Sequence, residues 1–203
     1  MKSFRSLFGL AVAVVLLAQS QVQAASDIFI RFVNPAGGLP SYTGDSTHEQ
    51  FKGADGWFAV NAVSFGMENQ TTIGSASGGA GAGKAKALPV SCVKLPNSAS
   101  AALFTACAIG GHWDTAEIVF TKPVPSSNKT VVHMRLELKL VMVSNLAVQM
   151  SSGDDAPTET ATLQYAAQRI TFFAPNPANP SNMVQTGQSI WSFVLNAAQF
   201  SVS

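Results

Sequence analysis

From Val131 to Met142 apolar and polar residues alternate almost without a break. Val132, Met134, Leu136, Leu138, Leu140 and Met142 take the even positions, and His133, Arg135, Glu137 and Lys139 stand between them. Successive side chains of a strand point to opposite faces. The run therefore predicts a long strand with one face on a core and the other on water or a polar partner. A helix would scatter the same residues around its circumference.

The rest of the chain is punctuated in the same way. Asp27–Val33, Gly56–Gly66, Lys84–Leu95, Ala116–Thr121 and Thr158–Phe173 read as further strands, rich in β-branched and aromatic residues. Ser189–Phe200, with Trp191, Phe193 and Leu195, reads as a last strand or edge segment after the proline-broken stretch Ala174–Asn182. One helix interrupts them, from Asn97 to Ile109. Asn97 or Ser98 supplies the cap, Leu103, Phe104 and Cys107 are placed to bury, and Gly110-Gly111 gives a left-handed exit. Asn34–Gly56 is a long polar connection, and Thr71–Gly83 is a Gly, Ala and Ser tract expected to be a flexible loop. The expected fold is mainly β: an antiparallel β-barrel or sandwich with one short α-helix.

Met1–Ala24 has the three parts of an export signal. Lys2 and Arg5 form a basic start, Leu7–Ala18 is apolar apart from Gly9, and Val22-Gln23-Ala24 presents small residues for cleavage between Ala24 and Ala25. The apolar run falls short of the about 20 residues that span a bilayer. The expected organisation is a signal peptide over 1–24, a β-barrel domain over 25–175, and a C-terminal extension over 176–203. Of 12 basic and 11 acidic residues, the signal holds two basic ones, which leaves 10 against 11. A chain so near neutrality has no electrostatic reason to seek nucleic acid or an anionic membrane. In an oxidising compartment Cys92 and Cys107 can close a disulfide worth about 3 kcal/mol, or remain free if their Cβ atoms point apart.

The side chains offer little chemistry. Gly78–Ala85 approaches a phosphate-binding loop, but Ala85 stands where a magnesium-holding Ser or Thr is needed, and a strand follows instead of a helix. His48, His112 and His133 lack metal-ligand spacing. His112 and Asp114 are close enough to orient one another, and Glu137 and Glu159 to face each other across strands; cross-strand salt bridges with Arg135 and Lys139 are the simpler reading. No cofactor or metal site is expected, and no enzymatic activity. A secreted hydrolase would need a pocket joining His112 or His133 to an acid and a nucleophile. A monomeric exported binding module would use Trp57, Trp113 or Trp191 on a ligand surface.

Several segments, taken in order, resemble the hemolysin-coregulated protein (Hcp) family, the tube proteins of type VI secretion. They are Asp27-Ile28-Phe29-Ile30, Gly56-Trp57-Phe58 with Val63-Ser64-Phe65-Gly66, and Gly78–Ala85. Ala99–His112 follows, with its Leu103-Phe104-Thr105-Ala106-Cys107-Ala108 core, then Leu138–Ser144, Pro157-Thr158-Glu159 and Gly187–Trp191. The resemblance implies a β-barrel with one helix, a homo-hexameric ring able to stack into a tube, and secreted effector cargo in the lumen. It also implies that the Asn34–Gly56 loop, with Tyr42, His48 and Phe51, contacts a neighbouring ring. The family's tube subunits lack a cleavable signal, so the leader is a departure. It implies an exported protein, periplasmic, at the cell surface or secreted.

Overall fold

A computed structural model of the chain describes residues 26–73, 80–124 and 130–203. The expected export signal over 1–24, the expected cleavage site at Ala24 and Ala25, and the centre of the Gly-rich tract lie outside the described residues. Nine strands are described: β1 (Ile28–Ala36), β2 (Phe58–Val60), β3 (Ala62–Ile73), β4 (Ala80–Lys94), β5 (His112–Pro123), β6 (Thr130–Gln149), β7 (Thr158–Gln164), β8 (Ala167–Asn176) and β9 (Asn179–Ser192). The helix, α1, runs from Ser100 to Ile109. All strand pairings are antiparallel, in the order β2-β1-β5-β6-β7-β4-β3, with β8 added on β6 and β9 on β8.

The two ends of that order are neighbours in sequence. Asn61 alone separates β2 from β3, and its N–H donates to the Val93 carbonyl at 2.7 Å. The sheet thus rolls shut into a barrel. Ile30, Phe58, Val90, Trp113, Ile118, Leu136, Leu138, Val141 and Leu163 fill it, and α1 docks over them through Ala99, Ala102, Leu103 and Ala106.

β6 organises this arrangement, and it does so by breaking the alternation twice. A bulge between Phe120 and Thr121 in the β5 pairing puts Val132 opposite Thr121. Val132 therefore joins a second cluster, of Phe29, Phe51, Trp57 and Val119, on the other face of the sheet. At Leu140 the backbone is left-handed (φ 51°). Beyond it Val141 and Val143 are buried while Leu140 and Met142 are exposed. The expectation that all six even-numbered apolar residues share one face is thus corrected to Met134, Leu136 and Leu138. The kink also changes the partner: β8 pairs with Met134–Lys139 and β7 with Met142–Gln149. One 20-residue strand serves both the barrel and the β8–β9 hairpin.

A left-handed conformation costs an L-residue about 1–2 kcal/mol, and more when the side chain is β-branched. Leu140→Val is therefore expected to destabilise by about 1–2 kcal/mol in urea unfolding although the side chain is exposed, whereas Leu140→Asn should be neutral or stabilising.

Other expectations need smaller corrections. Thr71–Ile73 and Ala80–Gly83 are paired strand, not loop, and Gly83-Lys84 lies inside β4, so no phosphate-binding turn forms there. Phe104 is half exposed, because the buried stripe of α1 follows Ala99, Ala102, Leu103 and Ala106 and position 104 lies a hundred degrees from Leu103. The Asn97 carboxamide holds the Ala99 N–H at 3.1 Å, one turn ahead of the helix proper. Gly110 provides the left-handed exit, its N–H returning to the Ala106 carbonyl. The prolines of Ala174–Asn182 sit at the ends of β8 and β9, whose turn is at Pro177-Ala178, and the C-terminal segment supplies a full-length strand.

Candidate functional site

The sheet face turned away from the barrel core carries the polar half of the β6 pattern. Arg31, Glu117, Glu137 and Arg169 are successive register partners across β1, β5, β6 and β8. Arg31 donates from Nη2 to Glu117 Oε1 at 2.8 Å. Arg169 grips Glu137 with two donors, Nε to Oε2 at 2.6 Å and Nη2 to Oε1. The carboxylate expected opposite Glu137 is therefore Glu117, not Glu159, and a guanidinium neutralises each of the two. Aromatic rings cover both ends of the row: Arg31 lies 4.8 Å from the Trp57 ring centre and Arg169 lies 4.6 Å from that of Phe200 in the C-terminal tail.

Above this row lies the Asn34–Gly56 connection, ordered by aromatic packing. Phe51 is buried, stacked on Phe29 at 5.0 Å and edge-on to Trp57 at 5.1 Å. The His48 ring sits 5.0 Å from Phe29 and 5.2 Å from Phe51. The Tyr42 hydroxyl accepts the Phe32 N–H at 2.8 Å and donates to the Gly56 carbonyl at 3.0 Å. Burial pushes its pKa up to about 12, despite the opposing effects of the Phe32 N–H and of Arg31. Tyr42, His48 and Phe51, which the resemblance places in a ring-contact loop, pack against their own subunit in the single chain. The outer side of the loop is formed by Thr43, Asp45, Thr47 and Glu49, which are exposed.

Where the loop folds back, two glycines permit it. Gly44 N–H donates to the Gly53 carbonyl at 2.9 Å, and Gly53 N–H donates to Ser46 at 2.8 Å. A Cβ on Gly44 would sit 2.0 Å from the Trp57 carbonyl oxygen, and one on Gly53 would sit 2.4 Å from that of Gly44.

A second charged pair lies inside the fold. Lys94 and Glu159, register partners on β4 and β7, are 1% and 0% exposed, with Nζ 2.8 Å from Oε1. Nζ also donates to Asn97 Oδ1 at 2.9 Å, Ser100 Oγ at 2.8 Å and the Leu95 carbonyl at 3.3 Å. The ammonium's hydrogens are thereby directed at the turn leading into α1. Neither Glu159 oxygen accepts an aligned hydrogen bond, so the carboxylate is held by charge alone.

The remaining candidates do not converge. Asp114 accepts from Asn34 Nδ2 at 3.3 Å, His48 Nδ1 accepts the Gln50 N–H at 3.2 Å, and His133 stands beside Phe120. Among the described residues no three His, Cys, Asp or Glu side chains gather around a common point. Trp57 and Trp113 are core residues and Trp191 is half-buried, which removes the first two from any ligand surface. Cys92 and Cys107 are free thiols, Cys92 buried on β4 and Cys107 half-buried on α1. Burial pushes the Cys92 pKa up to about 12. Iodoacetamide should accordingly modify the native chain once, at Cys107, and a second time only after unfolding; two adducts on folded protein would contradict this packing.

A family model described as "Type VI secretion system effector, Hcp" matches residues 32–172. Among solved structures, one described as a type six secretion system protein superposes with a TM-score of 0.71 at 22% identity, covering 85% of this chain and 99% of its own. Hcp1 from Salmonella typhimurium gives 0.61 at 19% identity over 85% of this chain and 97% of its own. Hcp1 from E. coli EAEC 042 gives 0.60 at 18% identity over 80% and 99%. At these identities the likeness establishes the fold. No curated protein matches the chain by sequence. Among the described residues no helix is long and apolar enough to cross a membrane.

Proposed function

We propose, from the premise that this chain belongs to the Hcp family of type VI secretion proteins, that it is a structural, tube-type subunit which assembles with copies of itself into a hexameric ring. The family match over 32–172 carries this reading. The fold supports it in a second way. Among the described residues of the single chain, β3 and β9 each have one edge without a strand partner, and exposed Met67 and Val184 lie on these strands. Open edges with apolar side chains invite aggregation unless a neighbour covers them, and a closed ring does so.

In this assembly the role is structural rather than catalytic, and the ring interior carries secreted polypeptide cargo. The outer side of the Asn34–Gly56 loop, Thr43, Asp45, Thr47 and Glu49, faces the next ring, while Tyr42, His48 and Phe51 hold that surface in place. The leader directs export and is removed between Ala24 and Ala25. Sedimentation velocity and negative-stain microscopy of the chain beginning at Ala25 test the ring. Six-membered particles are expected. A monomer at every concentration would overturn the proposal and favour an exported single-subunit binding module.

A further inference from the structure

Arg135 is a cation for which the described residues supply no anion. Its register neighbours on the outer sheet face are Val119 of β5 and Thr171 of β8. The two carboxylates of that face, Glu117 and Glu137, are taken by Arg31 and Arg169. Arg135 makes no hydrogen bond or ion pair with any described residue, and its Nε is buried without an acceptor. An N–H of a charged group left in that state is costly, and a bound acceptor would recover the loss.

The guanidinium opens into a cleft of about 400 Å³. Phe51 of the loop, Val131 and Val132 of β6, Phe173 of β8 and Met183 of β9 form its apolar walls, Gln50 and Thr130 add two neutral polar side chains, and among the described residues no acidic one lines it. The volume falls in the range of small-ligand pockets. A cleft with largely apolar walls, two neutral polar side chains and a single unmatched guanidinium is complementary to a carboxylate that adjoins a large apolar group.

We propose that this cleft binds a client polypeptide through a carboxylate flanked by a large apolar side chain, with Arg135 pairing the carboxylate. The chemistry rests on the cleft alone, and the identification of the occupant as a polypeptide rests on the cargo-carrying part of the proposed function.

The probe is a fluorescent peptide ending in Leu-Phe with a free carboxylate, compared with its C-terminal amide, titrated into the chain beginning at Ala25. The acid should bind at least about tenfold more tightly than the amide. Arg135→Gln should abolish that preference and Arg135→Lys should retain part of it. Met183→Asp, which places a carboxylate in the wall, should weaken the acid while leaving the circular dichroism unchanged. Equal binding of acid and amide, or no binding of either by folded protein, would overturn the proposal. So would dodecanoate binding at least about tenfold more tightly than the peptide, which would mark a fatty-acid site. A change in sedimentation on Arg135→Gln would also overturn it, by making the cleft a contact between copies. Sedimentation of the same samples separates the two readings: rings without peptide binding fail this inference alone, and peptide binding by monomers fails the ring alone.

Discussion

Replacing Lys94 by methionine is expected to cost the fold about 3–5 kcal/mol, the usual loss when one member of a buried ion pair is removed. The change leaves the Glu159 carboxylate fully enclosed with no opposite charge, since among the described residues the ammonium at 2.8 Å is its sole partner. It also releases Asn97 and Ser100, which the ammonium ties together at the entrance to α1. The Phe58 ring, 5.6 Å from Nζ, loses its cation as well. A domain of this kind is stable by about 5–15 kcal/mol, so much of the folded population is at stake. Glu159→Gln should cost less, about 1–3 kcal/mol, because three neutral acceptors still hold the ammonium. The double change Lys94→Met with Glu159→Leu should recover most of the loss, since apolar replacement of a whole buried pair is often neutral or better. Urea midpoints for the three variants provide the check. A loss below about 1 kcal/mol for Lys94→Met would show that the carboxylate is not confined as described.

This pair also shows where sequence reading stops. Lys94 ends a strand and Glu159 begins one 65 residues later, and each alone reads as a solvated terminus. Nothing local announces that antiparallel pairing of β4 with β7 will enclose both. The central strand was legible because burial imposes a period of two on residues that are neighbours in sequence. Its two parity changes were not. The left-handed turn at Leu140 coincides with the exchange of β8 for β7 as partner, a tertiary event at a residue of ordinary type. The helix and its Gly110 exit were legible, but the stripe it buries is set by alanines, whose small side chains carry little periodic signal beside Phe104. The two flanks of the Gly-rich tract, Thr71–Ile73 and the start of β4 from Ala80, pair as strand because ladder hydrogen bonds involve only the backbone, which composition does not register. As for the candidate cleft, Arg135 reads as one more polar residue on a solvent face. Its distinction is the lack of a partner, and that emerges only once Arg31 and Arg169 have claimed both carboxylates.

The loop offers the second large effect. Gly44→Ala is expected to destabilise by about 2–3 kcal/mol and to detach the Asn34–Gly56 segment from the sheet. The added Cβ meets the Trp57 carbonyl oxygen at 2.0 Å, and that atom belongs to backbone entering β2, so it cannot swing aside as a side-chain tip would. The same carbonyl accepts the Ser46 N–H at 3.1 Å, so moving it also breaks the loop's own ladder. Gly53→Ala should act alike, because its Cβ meets the Gly44 carbonyl at 2.4 Å. Release of the loop would expose Phe51 and Trp57 together, giving a red shift in tryptophan emission and new protease cleavage between Tyr42 and Gly56. Phe51→Ala reaches the same end without a clash, by removing the anchor, at about 3 kcal/mol. Thr47→Ala, on the outer side, should stay within about 0.5 kcal/mol. If the loop's outer side joins one ring to the next, Gly44→Ala should abolish stacking while leaving single rings, and Phe51→Ala should do the same. Intact loop protection in both variants would mean that the segment is held by contacts other than this glycine crossing and its aromatic anchor.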